Sequence, residues 1–335
     1  MSEAGNGRYD VVVVGAGPTG LACASLLVRR GGFAAARVAV IDRRLPETLE
    51  RVRASAMDLR VFALSRASEK ILRACDAWRD ITATRAAPYE RMHVWHAQVP
   101  PRGGDALVFD AAEIGERDLG VIVENSVLQA ALGDAVRREG LALLTGEVTA
   151  LEQRRDEVAV DVAGRSVSAK LVIGADGAQS QVRQLAGLTA TRTDYGQTAL
   201  VAMIATARPH ANTAWQRFLG DGTLAFLPLK GGLSSIVWSL PTERAERLLG
   251  VAPEAFEREL ESDFDGALGA VRLASDRVKF PLWRLSADRH VTKRGRHHRN
   301  SGCAPRRSRV LRRALRSTPR ARRLRYGDER VRVDR

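Results

Sequence analysis

Gly15, Gly17 and Gly20 stand in G-x-G-x-x-G spacing inside "DVVVVGAGPTG", residues 10–20. Such a loop can bind a pyrophosphate. The first glycine makes the tight turn, the second lets backbone approach the phosphates, and the third lets helix pack on strand. The helix that follows presents free amide donors and a favourable dipole to the anion. Asp42 comes 22 positions after Gly20, where a carboxylate can accept hydrogen bonds from a ribose 2′-hydroxyl, and Arg43 follows it. The loop alone does not separate NAD from FAD. A second candidate lies in "LVIGADGAQSQVRQLAG", residues 171–187. Asp176 and Gly177 end a strand there, where a carboxylate can meet a ligand in the crevice of an open sheet. Asp176 can equally be a turn residue that caps the next helix, as can Ser180.

These residues need elements to hold them. "YDVVVVGAG" is a β-branched run ending in glycine, the pattern of a buried parallel strand. "PTGLACASLLVRRGG" predicts a helix with Pro18 in its first turn and Gly31-Gly32 closing it. "RVAVIDR" is a second strand, completing a βαβ unit within 43 residues. Helices are predicted over 64–78 and over "ENSVLQAALGDAV", where Leu128, Leu132 and Val136 share a face. Residues 141–173 read as strands, 197–240 as a separate sheet, and 241–263 as helical.

Several segments carry a family resemblance. "DLRVFALSRAS" (58–68) resembles a stretch of the flavin-dependent aromatic hydroxylases of ubiquinone biosynthesis, with Asp58, Arg60, Ala63, Leu64, Ser65 and Ser68 fitting its pattern. "MHVWHA" (92–97), "LGVIVENSVLQAAL" (119–132), the Ala-Asp-Gly segment, "AWQRF", "LAFLPL" and "SIVWS" follow in the family's order. His96 stands where that family usually has Asp. The resemblance covers about 20–290.

The resemblance implies an α/β fold: a Rossmann-like FAD/NAD(P)-binding domain with a mixed β-sheet substrate domain. The expected division gives 1–75 and 105–187, with 275–292, to the FAD domain. It gives 76–104 and 188–274 to the substrate sheet, and 293–335 to a basic tail. The implied activity is NAD(P)H- and O2-dependent hydroxylation of a polyprenylated phenolic ring. FAD does the difficult chemistry, while the protein binds, orients and excludes water. The expected cofactor-binding set is Gly15, Gly17, Gly20, Asp42, Arg43, Arg60, Asp176, Gly177 and Arg183; no side chain is assigned a catalytic role and no metal is expected. An apolar surface around Trp215, Phe226 and Trp238 suits such a substrate, and each of these aromatics fits a core equally well. Two rivals are a hydroxylase of soluble aromatic acids on the same fold and a non-catalytic, basic-tailed nucleic-acid binder.

Composition narrows these classes. The 335 residues suffice for two domains, and 45% hydrophobic with 27% charged content is that of a soluble globular chain. No apolar run reaches the length of a membrane span, and no secretory signal pattern opens the chain. The expected location is cytoplasmic and peripheral at the inner membrane, with transient contact to a membrane surface or a biosynthetic complex. Cys23, Cys75 and Cys303 are scattered, which argues against a disulfide framework or zinc site. The six His have no ligand spacing, and His93 and His96 read as structural. No G-x-S-x-G is present.

The net charge of +14 does not point to nucleic acid in the body of the chain. Residues 291–335 hold one Lys and sixteen Arg against Asp328, Glu329 and Asp334, while the other 290 residues carry 36 basic and 36 acidic side chains. The family's third flavin motif, Gly-Asp-Ala-Ala-His followed by Pro and Gly-x-Gly, is due where this basic run begins. "GDGTLAFLP" (220–228) has a similar spacing but sits inside the sheet pattern and lacks Ala-Ala-His. Two readings remain: a genuine arm for nucleic acid or anionic lipid, and the product of a shifted coding frame near residue 293. The abrupt change of composition favours the shift, and with it weak flavin binding or inactivity. No nucleic-acid partner is expected.

Overall fold

The computed structural model describes residues 7–292. The valine run forms β1 (Arg8–Val14). The helix α1 (Pro18–Arg29) follows, with Gly17 at its N-cap and Pro18 where no amide donor is needed. Next come β2 (Val38–Asp42), α2 (Leu49–Ala54) and β3 (Val61–Ser65). The helix predicted over 64–78 is two: α3 (Arg66–Ala74), capped by the Ser65 hydroxyl accepting from the Ser68 amide, and α4 (Trp78–Ala83). Asp76, at a φ of +56°, turns the chain between them. Then follow β4 (Ala86–Tyr89), β5 (Arg91–His96), β6 (Leu107–Asp110), β7 (Gly120–Glu124) and α5 (Asn125–Arg138).

The strands β8 (Ala142–Thr145), β9 (Val148–Gln153), β10 (Val158–Val162) and β11 (Arg165–Gly174) lead to the short helix α6 (Gln181–Leu185). Six strands order as β8-β2-β1-β11-β10-β9. The first four are mutually parallel, and β10 and β9 are antiparallel additions. Val14 pairs with Gly174, so the glycine loop after β1 and the Ala-Asp-Gly segment after β11 leave the sheet side by side. Leu21, Ala24, Leu132, Ala135 and Val136 bury one face of this sheet, with Val11, Val13 and Val40 beneath them. A small antiparallel sheet, β3-β7-β4, lies at its flank.

The second large sheet is built from β12 (Ala190–Thr206), β13 (Thr213–Phe218), β14 (Thr223–Pro228) and β15 (Ser234–Pro241). After the helices α7 (Thr242–Gly250) and α8 (Pro253–Asp263) come β16 (Val271–Leu273) and β17 (Val278–Ala287). The eight strands run β16-β12-β15-β14-β13-β5-β6, with β17 on β12. The α/β class read from the sequence is the fold observed. The boundaries differ. Residues 275–292 were expected with the dinucleotide unit, yet β17 pairs along β12 from Ala190–Ala287 to Val201–Val278. Likewise β6 belongs to this sheet through β5. The backbone donors and acceptors of both segments find their partners there.

Trp215, Phe226 and Trp238 need a correction as an open substrate surface. They share one face with Leu200, Ile236 and Trp95, and α7 and α8 cover it. Phe264 of the turn after α8 stacks on Phe226 at 3.6 Å between centroids, and Phe256 meets Trp238 edge-on at 5.7 Å. Trp238 and Phe226 are fully buried. Strand alternation then puts Val201, Met203, Ala225, Leu227, Ser235 and Val237 on the other face. His93 and His96 lie on opposite faces of β5, and His93 stacks on Trp215 at 4.6 Å.

His210 is buried, and burial pushes its imidazole below the ordinary value. One ring nitrogen faces the Leu229 carbonyl at 3.2 Å, and Nδ1 accepts from the Asn212 amide at 3.2 Å. The neutral ring is therefore satisfied, and a second proton would face a donor. The unfolded chain binds more protons here, so this contribution is present above the ordinary imidazole range and is lost as pH falls through it toward the lowered folded value. Urea midpoints taken between about pH 8 and about pH 5 should fall with acid, and His210→Gln should flatten that fall. An unchanged slope in the variant would assign the acid sensitivity elsewhere.

Among the described residues no helix is long and apolar enough to cross a membrane. The basic tail (293–335), its shifted-frame reading and the region due for the third motif lie outside the described residues.

Candidate functional site: the edge shared by two glycine turns

The glycine loop is fixed from three sides. The Gly15 amide donates to the Ile41 carbonyl at 2.7 Å, and the Ala16 amide donates to Asp42 Oδ2 at 2.6 Å. Asp42 Oδ1 accepts from the Arg44 amide at 3.0 Å. Each carboxylate oxygen keeps a further lone pair for a ligand hydroxyl. The three glycines differ in what surrounds them. A Cβ on Gly15 would stand 2.3 Å from the Ala175 carbonyl oxygen, and one on Gly20 would stand 1.9 Å from the Gly15 carbonyl oxygen. A Cβ on Gly17 would meet nothing within 4 Å. Two glycines thus let backbone pack on backbone, and the middle one borders open space at the start of α1. The first amides of a helix have no intrahelical acceptor, so donors face that space.

Gly15 touches the Ala-Asp-Gly turn directly. Asp176 Oδ2 caps α6 by accepting from the Val182 amide at 3.1 Å. Its Oδ1 is buried and has no partner. The capping reading of Asp176 is what the structure shows, and Oδ1 is left without a hydrogen bond. Gly177 takes a φ of +81°, which a side chain would strain. The Ser180 hydroxyl accepts from the Arg183 amide at 3.0 Å, and the Arg183 guanidinium folds back to the Ala178 carbonyl at 3.0 Å.

The remaining expected residues are placed differently. Arg43 points away from the loop to Glu147 at 2.6 Å. The Gln181 amide, and after it Arg43, hold the Glu147 carboxyl below its usual range. Arg60 is exposed on the turn before β3, its guanidinium 5.3 Å from the centre of the Phe62 ring, with no ion pair among the described residues. Next to it, Met57, Leu59 and Val61 pack with Ile122 against Met203 and Leu227. The segment carrying Arg60 thus lies where the second sheet's other face packs on the first unit.

Sequence reasoning missed three groups here. Gln129 Nε2 donates to the Ala16 carbonyl at 3.4 Å, tying α5 to the loop. The fully buried Glu124 and the half-buried Arg85 form a pair behind the Arg60 turn. Glu124 and Gln129 lay inside a segment already singled out, but no pattern marks Arg85.

The cradle at Gly17, the unpartnered Asp176 oxygen and the helix amides fit a dinucleotide phosphate and its ribose. A family model described as an FAD binding domain matches residues 8–296. The chain belongs to the FAD binding domain family. It is 35% identical over 290 residues to 3-demethoxyubiquinol 3-hydroxylase of Escherichia coli, covering 85% of this chain and 71% of that protein. It is 33% identical over 288 residues to ubiquinone hydroxylase UbiL of Rhodospirillum rubrum, covering 85% of this chain and 64% of that one. The chain therefore spans about two thirds of these relatives. Among solved structures, P. aeruginosa PqsL in complex with 2-aminobenzoylacetate superposes with a TM-score of 0.63 at 22% identity, over 82% of this chain and 74% of PqsL. That likeness concerns the fold alone. The resemblance read from the motifs, to the flavin hydroxylases of ubiquinone biosynthesis, is borne out by these relatives.

Proposed function

We propose that this chain binds FAD along the edge shared by the two glycine turns and hydroxylates a phenolic ring carrying a polyprenyl tail, using NAD(P)H and O2. The observation that carries the reading is the junction of Gly15 with Ala175 and Asp176, together with open space at Gly17 and an unpartnered oxygen on Asp176. The relatives' names supply the substrate class, being hydroxylases of ubiquinone-type rings. Bound FAD would supply the two-electron redox chemistry and the activation of O2.

The protein's own part is binding, orientation and exclusion of water. Gly15 and Gly20 shape the loop, and Gly17 with the α1 amides holds the pyrophosphate. Asp42 accepts from the adenosine ribose, with Arg43 at the rim. Asp176 Oδ1, beside Gly177, takes a cofactor hydroxyl, and Arg183 braces that turn. Arg60 reaches the flavin side. The half-buried Ala225, Leu227 and Val237 on the second sheet's other face receive the ring and the start of its tail. A polyprenyl substrate resides in bilayers. Transient membrane contact belongs to this reading, and the exposed Leu107, Val108 and Phe109 of β6 offer an apolar surface for it.

The test is reconstitution with FAD, followed by NAD(P)H oxidation and product mass with a short-chain polyprenyl phenol and with a soluble aromatic acid. Oxygen incorporated only into the prenylated ring is the expected result. Turnover of the soluble acid alone would reassign the substrate, and failure to bind FAD would remove the reading.

A further inference from the structure

Glu124 is fully buried. Its Oε1 accepts from Arg85 Nε at 2.8 Å, and its Oε2 accepts from Arg85 Nη2 at 3.1 Å. Oε2 also accepts from the Asp58 backbone amide at 2.8 Å. Arg85 spends its other donors on carbonyls at the end of α2: Val52 at 2.9 Å and Ser55 at 3.0 Å. The guanidinium thus satisfies carbonyls that a helix end leaves open.

Asp58 carries the connection onward. Its Oδ1 accepts from the Arg60 amide at 2.9 Å, and its Oδ2 accepts from the Ser126 amide in the first turn of α5 at 3.1 Å. The Asn125 amide donates to the Arg60 carbonyl at 2.8 Å. The Arg60 backbone is held on both sides, while its side chain is left without an ion pair among the described residues. The same helix reaches the glycine loop through Gln129. One helix, α5, therefore sets the Arg60 turn and the dinucleotide loop in a common frame.

We infer that Arg85 and Glu124 are positioning residues: the pair fixes the 56–60 turn so that Arg60 addresses the flavin end of the bound dinucleotide. This rests on the reading that the chain binds FAD. A buried ion pair is a poor source of net stability, because desolvation offsets its attraction. Its geometry here, bidentate and joined to the Val52 and Ser55 carbonyls and the Asp58 amide, specifies a conformation instead.

The experiment compares the full chain with the double variant Arg85→Met/Glu124→Met, which removes both charges and keeps bulk. Removing a pair together can leave a fold intact where removing one partner does not. Arg85→Lys is the second variant, keeping the charge but losing the fork. Hydrogen exchange of residues 56–60 is measured without cofactor, and fluorescence titration compares FAD with ADP, which lacks the flavin end. Expected are exchange at least about tenfold faster in that turn alone, FAD binding weakened by about tenfold, and ADP binding unchanged. Exchange in the turn that matches the parent in a folded variant would overturn the inference. So would FAD and ADP weakening together, which would mark a general structural role. Arg60→Ala tests the underlying reading separately: unchanged FAD affinity there sinks the flavin-side role of Arg60 whatever the exchange shows.

Discussion

Gly15→Val should stop this chain from folding. Gly15 adopts a φ of +113°, outside the range open to a β-branched residue. Its Cβ would stand 2.3 Å from the Ala175 oxygen, 2.4 Å from the Ala175 carbon and 2.7 Å from the Asp176 nitrogen. None of these can swing away as a side chain tip would. The Ala175 amide is bonded to the Val14 carbonyl at 2.7 Å, and the Gly15 amide to Ile41 at 2.7 Å. Relief requires parting β1 from β11 or from β2, at the centre of the parallel sheet. The cost should exceed about 4 kcal/mol, a large share of a domain's whole stability. The check is soluble yield together with cooperative thermal melting. A soluble variant melting near the parent would show that the loop can shift after all.

Gly17→Val should do the reverse, sparing the fold and removing the cofactor. Gly17 has a φ of −71° and a ψ of 171°, extended geometry that valine readily takes. No atom lies within 4 Å of the Cβ it would gain, so stability should change by no more than about 1 kcal/mol. The added methyls would occupy the space assigned to the pyrophosphate. Losing charge-assisted amide bonds to phosphate should weaken FAD by about a hundredfold. Thermal melting and flavin fluorescence titration, run on the same preparation, read both halves. An FAD affinity equal to the parent's would mean that the loop does not face the phosphates.

The first βαβ unit was legible because every signal in it is local: a valine run, Pro18 at a helix start, and Asp42 closing the next strand. Ser180 was legible as a cap for the same reason. The strands of the second sheet were legible too, but not which face they hide. Alternation sorts Trp215, Phe226 and Trp238 onto one face without saying what covers it. That choice is made by Phe256 of α8 and by Phe264 just beyond it, which follow all three. The split between α3 and α4 depends on one left-handed residue, Asp76, in a stretch whose helical spacing otherwise continues. Arg85 left no trace in the pattern, because its partners are a carboxylate 39 positions away and bare carbonyls.

The register of β1 has a consequence for how the chain reaches this fold as it is made. Arg8 pairs with Ser168 and Val14 with Gly174, so the first strand synthesised lies next to one that follows some 160 residues later. At a ribosome's pace of about 5–20 residues per second, β1 waits roughly 8–30 seconds for that neighbour. Until then only β2 can cover one of its edges, and four consecutive valines are open on the other. The same delay recurs at β5, whose partner β13 begins at Thr213. Both large sheets are thus closed by late-arriving strands, a topology that favours slow folding and leaves strand edges open for longer during synthesis.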